Sequence, residues 1–206
     1  MRTQEGHAGI WHTRTYDRLA PYYDRLFRFL FPGDIKAKRL LVKGMKPGRV
    51  LDIACGTGTL LELAAGAGME CFGMDLSPGM VARARRKLPD AEFKCASFYD
   101  IPWPDDHFDY VVETNAVSAV GVDFRAVASE MLRVCRPGGE IRTGDYARPE
   151  NPGLGARLVE KLGNLIGDAC PDYRAVFRSL GHETDETPLH TFGVYRLITV
   201  RKPPAR

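Results

Sequence analysis

Two glycines separated by a single residue, Gly56 and Gly58, close the apolar run Val50-Leu51-Asp52-Ile53-Ala54-Cys55, and the next apolar run, Phe72-Gly73-Met74, ends in an acid, Asp75. A buried strand ending in such a turn lets a ligand lie against the backbone, because glycine has no Cβ to hold it off and takes dihedrals that other residues avoid. An acid at the end of the following strand can accept hydrogen bonds from two ribose hydroxyls. The pair suits a nucleotide-like cofactor. The third glycine of a dinucleotide fingerprint would fall at position 61, which is Leu61, and no Lys-Ser/Thr follows the turn as a triphosphate loop requires. Asp52 lies inside the first apolar run, where a carboxylate costs desolvation unless it meets a donor. An ammonium group on the cofactor would be such a donor, and neighbouring backbone amides are the alternative.

The elements that must hold these residues alternate strand and helix. Basic helices over 15–30 and 34–44 precede a strand at 49–54, a helix at 59–66, a strand at 70–74, a helix at 78–87 and a strand at 91–95. After a polar loop, 108–113 forms the next strand. Asp123 can cap a helix running to Cys135, and Arg136-Pro137-Gly138-Gly139 stops it before a fifth strand at 140–143. Helices at 153–166 and 172–180 and two extended segments, 183–187 and 191–201, complete a doubly wound α/β layout.

Four motifs occur in order over most of the chain: Asp52-x-x-x-Gly56-x-Gly58; Gly73-Met74-Asp75-Leu76-Ser77-x-x-Met80; Asp100-Ile101-Pro102-Trp103 followed by Phe108-Asp109; and Leu132-Arg133-Val134-Cys135-Arg136-Pro137-Gly138-Gly139. Together they resemble the motifs of class I S-adenosylmethionine-dependent methyltransferases. Tyr16-Asp17-Arg18-Leu19-Ala20-Pro21-Tyr22-Tyr23-Asp24 and Pro149-Glu150-Asn151-Pro152 are similar to the ubiquinone/menaquinone C-methyltransferase group, and Phe192 to Ile198 is similar both to that group and to bacterial phosphatidylethanolamine N-methyltransferases. The resemblance implies a Rossmann-like, mostly parallel seven-stranded sheet with an antiparallel last strand and N-terminal lid helices. It divides a single domain, 1–206, into a helical lid (1–46), a cofactor-binding core (47–147) and substrate-side helices with closing strands (148–206).

The resemblance also implies site residues. Asp52, Ala54, Cys55, Gly56 and Gly58 would face the methionine moiety, Asp75 the ribose, and Leu76 and Met80 the adenine, although a methionine at that position equally fills a core gap. Ser97 stands where many relatives carry an Asp that accepts from the adenine amine; a hydroxyl accepts more weakly, so adenine recognition is expected to shift to the Phe98 backbone. Thr114 belongs to the same crevice. Tyr16 and Tyr23 fall where the N-terminal motif closes over the sulfonium, or else anchor the lid by packing. For a base, should the acceptor need one, the strand ends offer Glu113, Asp145 and Tyr146, with His190 if the final hairpin folds over the pocket.

Composition narrows the partners. A chain of 206 residues, 44% hydrophobic and 27% charged, can bury roughly 70% of its unfolded surface in one domain. No apolar run approaches the ~20 residues of a membrane span and the start lacks a signal-peptide layout, which reads as cytoplasmic. The five cysteines contain no C-x-x-C pair, so neither a disulfide framework nor a metal site is expected. A net charge of +3 does not call for nucleic acid. Residues 1–48, however, carry ten basic against four acidic side chains, interleaved with Leu19, Tyr22, Tyr23, Leu26, Phe27, Phe29, Leu30 and Phe31. Such a segment either covers the cofactor with its apolar face or lies on an anionic membrane surface. The Arg83-Ala84-Arg85-Arg86-Lys87 run reads as the wet face and last turn of its helix, where cations suit the dipole. The expected activity is methyl transfer from S-adenosylmethionine to a small hydrophobic or amphiphilic acceptor, a quinone-precursor carbon or a phospholipid amine, by a monomer or homodimer. The competing readings are a non-catalytic S-adenosylmethionine-binding regulator and an NAD-dependent oxidoreductase, the latter weakened by Leu61.

Overall fold

The computed structural model describes residues 17–18, 20, 22–24, 34–117, 121–147, 149–166, 171–190 and 195–205. Helix α1 (Asp34–Val42) leads into β1 (Arg49–Asp52), α2 (Thr59–Gly66), β2 (Glu70–Asp75), α3 (Pro78–Lys87), β3 (Glu92–Cys95) and β4 (Phe108–Thr114). Helix α4 (Phe124–Val134), β5 (Cys135–Tyr146), α5 (Leu154–Ile166), α6 (Tyr173–Ser179), β6 (Thr184–His190) and β7 (Tyr195–Arg201) follow. The seven strands form one sheet in the order β3-β2-β1-β4-β5-β7-β6. Strands β1 to β5 pair parallel with one another, and β7 runs antiparallel to both β5 and β6. This is the expected Rossmann-like sheet.

Apolar runs rather than alternating ones mark the central strands because helices cover both faces. Successive residues point to opposite sides: Val50, Cys71 and Val112 join Leu60, Leu61 and Val81 in one apolar cluster, while Leu51, Phe72 and Val111 join Phe124, Met131 and Phe177 in the other. The helix starts are set by local chemistry. Ser77 caps α3 by accepting from the Met80 amide with Pro78 at the first helical position, and Asp123 caps α4 by accepting from the Ala126 amide.

One expected boundary is corrected. Arg136 to Gly139 does not separate a helix from a strand; β5 begins at Cys135, paired with Phe108, and the register resumes at Tyr110 and Glu140. The extra residues form a bulge, with Gly138 at φ 75° donating to Lys202 O over 2.9 Å. A Cβ on Gly139 would lie 2.8 Å from both Asp109 O and Cys135 Sγ, so only glycine fits where the bulge presses on β4. At the N-terminal side, 17–18 and 23–24 are helical; the rest of the segment expected as a helix over 15–30 lies outside the described residues, apart from turns at 20 and 22. Among the described residues no helix is long and apolar enough to cross a membrane.

Candidate functional site

The order β3-β2-β1-β4 reverses direction between β1 and β4, and the carboxyl ends of these strands frame the crevice where open α/β sheets bind ligands. Strand β1 delivers the chain to the Ala54–Gly58 turn. Gly56 takes φ 52° and Gly58 φ 82°, both in the left-handed region that favours glycine. Their surroundings differ. A Cβ on Gly56 would meet nothing within 4 Å, whereas one on Gly58 would lie 3.2 Å from Ala84 Cβ of α3. Gly56 therefore fronts open space, and Gly58 lets two helices approach.

Asp75, at the end of β2, accepts from the Gly56 amide through Oδ2 and from the Ser77 amide through Oδ1, both over 2.9 Å. Burial raises its pKa, the amides of Ser77, Gly56 and Leu76 work against the rise, and the Asp17 carboxylate adds to it. Leu76 beside it is 48% exposed, an apolar surface at the mouth of the crevice. Met80 is buried under the first turn of α3, Cys55 and Asp52 are buried, and Ala54 is half-buried. On the next wall, Cys95 pairs with Asp75 and the Ala96 amide donates to Asp75 O, which brings Ser97 and Phe98 alongside. The Ser97 hydroxyl accepts from the Tyr99 amide over 3.3 Å, and the Phe98 ring meets that of Tyr99 edge-on at 4.9 Å. Thr114 ends β4, followed by Asn115 at φ 57°.

The described residues of the N-terminal segment meet this crevice through two acids that sequence reasoning passed over. Asp17 Oδ1 accepts from Ser77 Oγ over 2.5 Å and from the Gly79 amide over 3.0 Å. Asp24 accepts from the Thr57 hydroxyl and pairs with Lys87 Nζ at 2.7 Å. Each follows a tyrosine in the N-terminal motif, and that repeat was the available signal. Gly79 belongs with them, since a Cβ there would lie 3.3 Å from Asp17 Cα. Tyr23 is partly buried next to Asp24; Tyr16 lies outside the described residues.

The candidate bases separate. Glu113 is fully buried, and its Oε1 accepts from the amides of Ala116 over 2.7 Å and Val117 over 3.2 Å. It grips the turn after β4 from beneath. Asp145, also fully buried, accepts from the Tyr146 amide over 2.7 Å and from the Tyr173 hydroxyl over 3.2 Å. Burial and the Asp145 carboxyl hold the Glu113 pKa well above the usual carboxylate range, and burial with both acids pushes the Tyr173 hydroxyl up as well. Two neighbouring buried carboxyls do not both ionise readily, so this is a proton-retaining cluster rather than an open base. The Tyr146 ring is partly exposed and stands edge-on to Tyr195 at 5.3 Å. His190 closes β6 opposite Tyr195; its side chain lies outside the described residues.

Residues 50–139 match the model of the methyltransferase domain family. A demethylmenaquinone methyltransferase of Thermus thermophilus is 33% identical over 178 residues, covering 77% of this chain and 80% of that protein. The chain belongs to the class I S-adenosylmethionine-dependent methyltransferases. Another member, the demethylmenaquinone methyltransferase of Renibacterium salmoninarum, is 37% identical over 138 residues, 65% of this chain and 58% of that relative. The chain thus spans little more than half the length of several relatives it matches. Among solved structures, the DhpI–SAM–HEP complex superposes with a TM-score of 0.71 at 22% identity, covering 93% of this chain and 96% of that one.

Proposed function

We propose that the protein transfers a methyl group from S-adenosylmethionine to a ring carbon of a small amphiphilic quinone precursor. The observation that carries the acceptor class is the similarity to the Thermus thermophilus demethylmenaquinone methyltransferase over 80% of that protein's length. The crevice suits the cofactor on its own terms. Open space over Gly56, a carboxylate at the end of the second strand and the exposed Leu76 match a ligand with a backbone-hugging tail, a ribose diol and a flat apolar base.

In this reading the Ala54–Gly58 turn, with Asp52 and Cys55 beneath it, receives the methionine end, Asp75 the ribose, and Leu76, Met80, Ser97 and Phe98 the adenine. Thr114, at the end of β4, completes the cofactor crevice. Tyr16 and Tyr23 close over the sulfonium, where an aromatic face is worth about 0.5–2 kcal/mol. S-adenosylmethionine supplies an electrophilic methyl group and a neutral thioether leaving group. The chain supplies alignment and a dry site, since displacement at carbon needs little else from a protein. A ring-carbon nucleophile is strengthened when a neighbouring phenol loses its proton, and of the candidate residues whose side chains are described, Tyr146 at the end of β5 is the partly exposed one. Glu113, buried and doubly amide-bound, shapes the wall instead.

The test is turnover of S-adenosylmethionine with a demethylated menaquinol in neutral detergent, against phosphatidylethanolamine vesicles and a no-acceptor control. A methyl group on the quinol ring together with S-adenosylhomocysteine supports the proposal. Methylated ethanolamine alone would transfer the assignment to the lipid acceptor, for which the basic N-terminal segment is the motivating feature. Tight cofactor binding without turnover on either acceptor would favour a non-catalytic binder.

A further inference from the structure

Lys87 ends α3, in the basic run that the sequence assigns to solvent and the helix dipole, yet it points elsewhere. Its ammonium lies 2.7 Å from Asp24 Oδ2, 3.2 Å from Thr57 Oγ1, 3.4 Å from Thr59 Oγ1 and 3.4 Å from Glu62 Oε2. Thr57 is the residue between the two left-handed glycines, and it is 2% exposed. Its hydroxyl donates to Asp24 while accepting from Lys87, so Asp24, Thr57 and Lys87 close a triangle of polar contacts. One corner is the lid, one the glycine turn and one the last turn of α3. Asp17 makes the matching contact at the first turn of the same helix, through Ser77 and Gly79. The lid is therefore fastened along α3 at both ends.

We propose that Lys87 is a positioning residue for cofactor binding, setting the shape of the glycine turn through Thr57 and the closure of the lid through Asp24. The inference rests on the assignment of the Gly56–Gly58 turn to the cofactor. A turn built on two glycines has many backbone conformations to lose, so a side chain anchored from two sides is an effective restraint on it. The ammonium side chain is 23% exposed, which leaves its pairing with Asp24 less screened than a surface ion pair. Burial opposes ionisation of Asp24, but the bonds from Lys87 and Thr57 and the charges of Lys87 and Arg83 prevail and hold its carboxyl below the usual range. Without the ammonium, Asp24 and Glu62 lose the cation both contact and Thr57 loses a donor. The direct Thr57–Asp24 bond remains, but the lid and the turn lose their shared tie to the last turn of α3.

The experiment is calorimetric titration of S-adenosylmethionine into the wild type, Lys87→Met, Lys87→Arg, Thr57→Val, the Lys87→Met/Thr57→Val double variant and Asp75→Ala, with hydrogen exchange read over residues 17–24. Lys87→Met is expected to weaken binding about tenfold, as loss of a charge-assisted contact does. Lys87→Arg should recover most of that loss, and the double variant should bind no worse than the weaker single one, because both act through one triangle. Exchange over 17–24 should rise in Lys87→Met with cofactor present. Thr57→Val, nearly isosteric, reads the same coupling should Lys87→Met fold poorly. Wild-type affinity in both Lys87→Met and Thr57→Val, alongside lost affinity in Asp75→Ala, would overturn the role of Lys87 alone, as would strictly additive losses. Wild-type affinity in Asp75→Ala as well would overturn the assignment of the crevice.

Discussion

The amide of Gly56 donates to the Asp75 carboxylate over 2.9 Å, so the acid at the end of β2 is tied to the turn at the end of β1 before any ligand arrives. The opposite oxygen of Asp75 holds the Ser77 amide, which fixes the start of α3 as well. One carboxylate thus aligns three segments of the crevice and keeps lone pairs for a diol. Asp75→Ala should raise the Kd for S-adenosylmethionine about tenfold to a hundredfold, as expected for hydrogen bonds to a charged group. Calorimetry reads it directly, and an unchanged Kd would remove Asp75 from the ribose site.

The buried acid pair makes stability depend on pH in a defined direction. Glu113 has its pKa raised above the ordinary 4.5 by burial and by Asp145. A raised folded-state pKa means its contribution is complete below the unfolded value and is lost as pH rises toward the folded value. Glu113→Gln keeps an oxygen for the Ala116 and Val117 amides and carries no ionisable proton. Its melting temperature should gain on the wild type as pH rises from about 5 to about 8. Parallel pH profiles for the two proteins would contradict the assignment.

Gly73 separates two packed side chains with no room to spare. A Cβ there would lie 2.6 Å from the Phe93 ring and 2.9 Å from Leu61. Gly73→Ala should cost about 1–3 kcal/mol through overpacking, lowering the melting temperature by several degrees. Cofactor affinity measured well below the melting transition should stay near that of the wild type, which separates this glycine from Gly56.

Ser97 already accepts from the Tyr99 amide, a contact an aspartate can also make. Ser97→Asp introduces the acid that the family resemblance implies at this position and should bind S-adenosylmethionine at least as tightly as the wild type. A clear loss of affinity would mean that the hydroxyl is used by the cofactor in a way a carboxylate cannot reproduce.

The local geometry of the proposed cofactor crevice was legible in the sequence because its signals are local. A glycine turn after an apolar run, an acid ending the next run and a Ser-Pro helix start each follow from backbone sterics or capping within a few residues. The partners of Lys87 were not legible, because Asp24 and Thr57 stand 63 and 30 positions away and only the folded sheet brings them to one point. The same holds for Glu113: its candidacy as a base came from its place at a strand end, while its burial and its neighbour Asp145 depend on the pairing of β4 with β5. Arg136 to Gly139 misled for a related reason. Pro-Gly-Gly does stop a helix, but the bulge that absorbs it is set by Asp109 and Cys135 across the sheet.

Strand β7 lies between β5 and β6 rather than at an edge. During synthesis, six of the seven strands leave the ribosome first, and β6 then has no place to dock. The β5-β7-β6 end of the sheet must wait with β5 offering an open flank until residues 195–201 emerge and pair with it. Such late, long-range pairing is slow and leaves an unpaired strand flank exposed meanwhile. Ribosome-stalled chains ending before β7 should therefore recruit chaperones, even though every residue of the proposed cofactor crevice has already been made.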